Sequence, residues 1–227
     1  MIAGTTRVVA LLGHPVAHSL SPRMQNAAFA ARALDLVYVA LDVPPERLED
    51  ALRGLRAAGF VGANVTAPHK LAVARLVGAQ EPSVNTLVFG DDGVRATSTD
   101  AAVVAGRSFE RPVVIGEGGS AQAFLRALPH ARVFSRRGAW PPRTEDADLV
   151  VNATPVRDAP VFEPRAGQTV VDLPYPEGAT AAAARAAGAE VFDGLDVLVA
   201  QGAASFELWT GVPAPVEVMR AAVASAA

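Results

Sequence analysis

The 227-residue chain contains no cysteine, so it can form no disulfide, thiolate nucleophile or zinc ribbon. Histidine is limited to His14, His18, His69 and His130. None has HExxH-like spacing or an acidic neighbourhood that would suggest a ligand cluster, so no metal is expected. No stretch reaches the ~18 apolar residues that cross a bilayer, and residues 8–12 are too few for the apolar part of a secretory signal; a cytoplasmic protein without a membrane partner is the expectation. The net charge is −3 and the arginines are scattered rather than blocked. That argues against a nucleic acid as partner and for a small molecule. The composition leaves the oligomeric state open.

Lysine is nearly absent as well. One lysine, Lys70, stands against nineteen arginines, and it ends the run Asn64-Val65-Thr66-Ala67-Pro68-His69-Lys70. A chain that uses arginine wherever a cation is needed has kept one ammonium, which suggests a task that guanidinium cannot perform. Arginine holds its proton above pH ~12, whereas a lysine that is desolvated or charge-paired can exchange its proton in the working range.

Short apolar runs alternate with amphipathic stretches, the pattern of an α/β fold with parallel sheets. Strands are expected at 7–12, 37–41, 62–65, 86–89 and 94–97. Helices are expected at 21–33, with a serine N-cap and Pro22 in the first turn, at 45–58 and at 68–77. Asp91-Asp92-Gly93 reads as a hairpin turn. A second α/β series has strands at 113–115, 132–134, 149–152, 169–172 and 190–192 and helices at 121–128 and 179–187. Helices at 197–210 and 213–224 close the chain. Residues 137–146, with Pro141-Pro142, show no helical period where a crossover helix usually lies. At this length two lobes of about 100 residues are the default: a substrate-binding α/β domain at 1–100 with a mainly parallel sheet, a compact Rossmann-like domain at 101–196, and helices at 197–227 returning to the first, with a cleft between the domains.

Several residues could carry chemistry. Asn64, Asn85 and Asn152 each fall at the carboxyl end of an expected strand or at a strand-edge turn, where open parallel sheets bind ligands; ordinary turn capping is the alternative for any one of them. Ser19 and Ser21 place two hydroxyls at a helix start, suited to a carboxylate, and capping alone needs only one. Asp100 lies where the first lobe gives way to the second and can serve as a carboxylate partner for Lys70. Gly116-Glu117-Gly118-Gly119 follows an apolar strand and opens a helix, the context of a dinucleotide turn, with Glu117 placing a negative charge towards the diphosphate. The next strand ends in Ser135-Arg136-Arg137. Without an acid to hold a ribose 2′-hydroxyl, two guanidiniums suit a 2′-phosphate, so NADP is the expected cofactor.

In this order the motifs resemble those of the shikimate dehydrogenase family: residues 13–22 (GHPVAHSLSP), 64–70 (NVTAPHK), Val84-Asn85-Thr86, Thr99-Asp100, the glycine turn, Asn152-Ala153-Thr154-Pro155, and Asp193-Gly194 through Gln201-Gly202. The resemblance spans essentially the whole chain. It implies reversible NADP-linked oxidation of shikimate to 3-dehydroshikimate, with Lys70 and Asp100 as the catalytic pair. Ser19 and Ser21 would take the substrate carboxylate, and Asn64, Thr66, Asn85, Tyr175 and Gln201 would complete the substrate pocket. Gly116, Gly118, Gly119, Ser120 and Ala121 would hold the diphosphate, Ser135, Arg136 and Arg137 the 2′-phosphate, and Thr154, Pro155 and Gly194 the rest of the cofactor. The chain departs from the family in a contraction at residues 80–83, a short cofactor lobe, and Glu117 in place of a small residue. Quinate as preferred substrate, and a shikimate-binding regulatory protein with an eroded cofactor lobe, are the alternatives.

Overall fold

The first strand, β1 (Arg7–Gly13), is buried from Val9 to Gly13, which fits the middle of a sheet covered on both faces. In the computed structural model, which describes residues 2–224, the chain continues through α1 (Ser21–Ala31), β2 (Leu36–Asp42), α2 (Leu48–Ala57), β3 (Gly62–Val65), α3 (Lys70–Leu76), β4 (Thr86–Gly90) and β5 (Gly93–Thr97). The strands lie in the order β2-β1-β3-β4-β5. β1 pairs in parallel with β2 and β3, whereas β4 is antiparallel to both β3 and β5. One reversed strand in an otherwise parallel sheet follows from the Asp91-Asp92 turn, since a two-residue link can join only antiparallel neighbours. Leu48, Leu52 and Leu55 form an apolar stripe on α2 that packs with Leu12, Val65, Val73 and Leu87.

The second sheet is wholly parallel. It is built from β6 (Pro112–Ile115), α4 (Gly119–Ala127), β7 (Arg132–Phe134), β8 (Leu149–Asn152), β9 (Thr169–Asp172), α5 (Ala179–Ala186) and β10 (Glu190–Phe192), with strand order β10-β9-β8-β6-β7. Apolar clusters form around Phe124, Leu149 and Val171, and around Ile115, Val150 and Val170. No helix occurs between β7 and β8. Gln168 closes that stretch instead, its Nε2 donating to the carbonyls of Thr144 at 2.7 Å and Ala147 at 3.1 Å.

Two further helices, α6 (Gly194–Thr210) and α7 (Val216–Ala224), end the described chain. By its contacts the chain divides into one unit that runs to Thr99 and resumes at Val199, and another from Asp100 to Leu198. In the first unit Phe29 of α1 stacks on Phe206 at 5.5 Å, and the Trp209 indole donates to the Leu87 carbonyl at 2.9 Å.

Several helix bounds and caps differ from the sequence reading. α1 begins at Ser21 with Leu20 in the cap position and no side-chain cap bond, and ends at Ala31 because Ala33 turns left-handed at φ 52°. Residues Pro45–Arg47 form a 3₁₀ turn ahead of α2. α6 starts three residues early because Asp193 Oδ1 accepts from the amides of Leu195 and Asp196 at 3.0 and 3.1 Å. α7 starts late because Ala214 precedes Pro215, and the proline ring disfavours helical backbone in the residue before it.

Asp172 ends β9 fully buried. Its carboxylate accepts from Asn152 Nδ2 at 2.7 Å and from the Ala181 amide in the first turn of α5 at 3.0 Å. Burial raises its pKa above 3.8 and outweighs those two hydrogen bonds, with Asp193 and Glu177 pushing the same way. A carboxyl with a raised folded pKa stabilises the fold most below the unfolded value, and that contribution is lost as pH rises through the folded value. Denaturant unfolding of Asp172→Asn beside the parent, from about pH 4 to 7, should therefore show the variant gaining relative stability with rising pH. A difference independent of pH would contradict this assignment.

Candidate active site

In the first unit the loops that follow β1 and β3 are tied together at the carboxyl ends of their strands. The Thr66 amide donates to Leu12 O at 2.8 Å and the His14 amide to Ala67 O at 3.1 Å. One loop carries Ser19 and Ser21, the other Thr66 and Lys70. Ser19 Oγ accepts from the Ser21 amide at 3.2 Å. Among the described residues the Ser21 and Thr66 hydroxyls make no hydrogen bond, so both can serve a ligand, and helix capping does not account for Ser21. Lys70 is the first residue of α3. It is held there by His69, whose Nε2–H donates to Val43 O at 2.7 Å inside the core. No role for His69 was legible in the sequence; its signal is a buried histidine beside the single lysine.

Asn64 and Asn85 are spent largely on the fold. Asn64 Oδ1 accepts from Tyr38 Oη at 2.8 Å, while its Nδ2 faces Asn85 O at 2.9 Å and the hydroxyls of Thr86 and Ser205 at 3.1 Å. Both ends of the Asn64 amide are thus engaged in bracing the fold. Asn85 reaches Thr99 Oγ1 at 3.0 Å and Gln201 Oε1 at 3.2 Å, and accepts from the Thr99 amide at 2.8 Å. This brings Asn85 and Gln201 together. The contraction at residues 80–83 is secured by Glu81, whose carboxylate accepts from Thr97 Oγ1 at 2.9 Å and the Ser98 amide at 3.0 Å. Asp100 and Tyr175 belong to the second unit.

In the second unit a cavity of about 350 Å³ opens beside the glycine turn, lined by Gly116, Glu117, Gly118, Ser135, Arg136, Arg137, Trp140, Ala153, Thr154, Pro155, Val156 and Val161. Gly116 has φ +127°, and a Cβ there would lie 3.0 Å from Ala153 O. At Gly118 a Cβ would meet nothing within 4 Å and the backbone is ordinary. Packing within the chain does not explain that glycine; a ligand approaching its backbone would. Gly119, Ser120 and Ala121 form the first turn of α4, whose positive dipole end favours an anion. Asn152 Oδ1 accepts from both the amide and hydroxyl of Thr154, at 3.0 and 2.7 Å. Asp172 thus fixes the Thr154 turn through Asn152. These features fit a dinucleotide, with its diphosphate at α4 and its adenosine end in the cavity.

One expectation on this side changes. Glu117 does not aim its charge at the diphosphate: Oε2 accepts from Ser135 Oγ at 3.1 Å and Oε1 lies 3.2 Å from Arg137 Nη1, since those donors at the end of β7 compensate its charge. Gly194 has a packing reason as well, since a Cβ there would fall 2.3 Å from Pro174 O. The Arg136 guanidinium lies over the Trp140 ring, 5.9 Å from its centroid. Among the described residues no cluster of three or more His, Cys, Asp or Glu could hold a metal, and no helix is long and apolar enough to cross a membrane.

Residues 11–87 match the shikimate dehydrogenase substrate-binding domain and residues 194–224 the shikimate 5′-dehydrogenase C-terminal domain. A shikimate dehydrogenase (NADP⁺) of Anaeromyxobacter dehalogenans is 41% identical over 266 aligned positions that cover 95% of each chain. That alignment is longer than this chain, which is a shortened version of the same architecture. The Thermus thermophilus shikimate 5-dehydrogenase in complex with NADP(H) and shikimate superposes with a TM-score of 0.85 at 31% identity, over 97% of this chain and all of that one. The Listeria monocytogenes shikimate 5-dehydrogenase, in complex with shikimate and NAD, superposes with a TM-score of 0.82 at 26% identity over 98% of each. With this fold, these motifs and these relatives, the chain belongs to the shikimate dehydrogenase family.

Proposed function

We propose that this chain catalyses the reversible NADP-linked oxidation of the C3 hydroxyl of shikimate to 3-dehydroshikimate. The observation that carries the reading is the pairing of the β1 and β3 loops, which sets the unspent hydroxyls of Ser21 and Thr66 on the segments that also carry Ser19 and Lys70. Ser19 and Ser21 bind the substrate carboxylate, with the α1 start adding the positive end of a helix dipole. Thr66, Asn85, Gln201 and Tyr175 orient the ring through its hydroxyls. NADP supplies the hydride acceptor. As the C3–H electron pair leaves, Lys70 with Asp100 takes the proton of the C3 hydroxyl and offsets the negative charge that develops on its oxygen. Gly116, Gly118 and the α4 start hold the diphosphate, Ser135, Arg136 and Arg137 the 2′-phosphate, and Thr154 with Pro155, on the wall of the same cavity, the adenosine end. The glycine turn and cavity of the second unit favour turnover over a role as a binding protein alone. The direct test is NADPH formation from shikimate by the purified protein, with NAD and quinate run in parallel.

Lys70→Arg should lower kcat by ~10²–10⁴, nearly as far as Lys70→Ala, because the role needs an exchangeable proton on a compact head rather than charge alone. Steady-state turnover within a few-fold of the parent would refute that role.

Ser21→Ala should weaken shikimate binding by about ten- to a hundredfold, the equivalent of about 1.5–3 kcal/mol for a hydrogen bond to a charged group, and Thr66→Ala by about two- to tenfold, the equivalent of about 0.5–1.5 kcal/mol for one between neutral groups, with NADPH binding unchanged. Gly13→Ala should act on shikimate alone as well, since its Cβ would lie 2.4 Å from Thr66 Cγ2. Calorimetric titrations in which both ligands suffer equally would assign these residues to the fold instead.

A further inference from the structure

We propose that Glu117 sets how strongly this chain distinguishes NADP from NAD, by placing a carboxylate in the seat of the 2′-phosphate; the inference rests on the NADP reading above. Sheets of this kind hold the adenosine ribose at the end of the second strand. There an acid accepts from a free 2′-hydroxyl, and arginine accommodates a 2′-phosphate. In this chain the end of β7 supplies only donors, Ser135, Arg136 and Arg137. The acid comes from a different place, the glycine turn between β6 and α4. Its two oxygens occupy two of those donors, Ser135 Oγ at 3.1 Å and Arg137 Nη1 at 3.2 Å, on the wall of the same cavity.

A carboxylate so placed acts oppositely on the two cofactors. A ribose 2′-hydroxyl can donate to it and leave the Glu117–Arg137 pair closed. A 2′-phosphate needs the same donors and brings a second negative group against the first, so it must open the pair. Opening is easy, because the Arg137 side chain is 88% exposed and that of Glu117 46%, and exposed ion pairs contribute little. NADP therefore still binds, against repulsion that NAD does not meet. Arg136 is not engaged by Glu117 and lies over Trp140, which leaves it as the guanidinium ready for phosphate.

The test uses the full chain with Glu117→Gln, which keeps the shape and removes the charge, and Glu117→Ala, which removes both. NADP⁺ and NAD⁺ are titrated by calorimetry at low and high salt. Both variants should bind NADP⁺ about tenfold more tightly at low salt, the scale of one repulsive contact at a few ångströms in a solvated site, and the gain should shrink as salt is added. NAD⁺ should bind unchanged to Glu117→Gln and more weakly to Glu117→Ala. Equal tightening of both cofactors would place the charge at the diphosphate and overturn the inference alone. So would unchanged NADP⁺ affinity at low salt, which would make Glu117 a solvated surface acid. Failure of the parent and both variants to bind either cofactor would overturn the NADP reading together with it.

Discussion

The amide of Asn64 is the hinge on which the first unit's site depends. Its carbonyl oxygen accepts from Tyr38 of β2, and its nitrogen faces the backbone of Asn85, Thr86 of β4 and Ser205 of α6. One buried side chain of β3 thus ties together β2, on the far side of β1, the adjacent β4 and a covering helix, two residues before Thr66. A buried amide that loses a partner costs the desolvation of the group left behind, so the cluster is stable only when complete. Complete, it fixes where β3 ends, and with that the start of the loop that carries Thr66 and Lys70. The His69 contact with Val43 fixes the far end of the same loop.

The second unit uses the same device with different residues. Asn152 at the end of β8 is gripped by Asp172 on one side and holds the Thr154 turn on the other. In both units an asparagine at a strand's carboxyl end is consumed by the scaffold, and the groups left for ligands are its neighbours.

Much of the fold was legible because it rests on local rules. Apolar runs of three to six residues marked the strands, and the single lysine and the glycine turn marked the two candidate sites. What could not be read depends on contacts across the chain. The three-residue shift at the start of α6 comes from Asp193 acting as a cap, a signal present in the sequence and passed over. The reach of Glu117 to Ser135 and Arg137 depends on β6 and β7 lying side by side, Ile115 opposite Phe134. The missing crossover helix was visible as an absence of period, but its replacement by the side chain of Gln168 was not, since Gln168 lies more than twenty residues beyond the carbonyl of Thr144 that it satisfies.

The absence of a helix between β7 and β8 has a consequence for how the protein behaves in a crowded solution. β7 is an outermost strand, and Val133 in its middle is 44% exposed. An open edge with an apolar residue is a template on which another chain could extend the sheet. Here the strand has only three residues, it begins with Arg132 paired to Asp146, and it ends in the tight Ser135–Ala139 turn with two arginines. A stranger's backbone would find too few free amides in line to register against, and cationic side chains at both ends of the run. The edge that exposes Val133 is short, and its brevity is its protection.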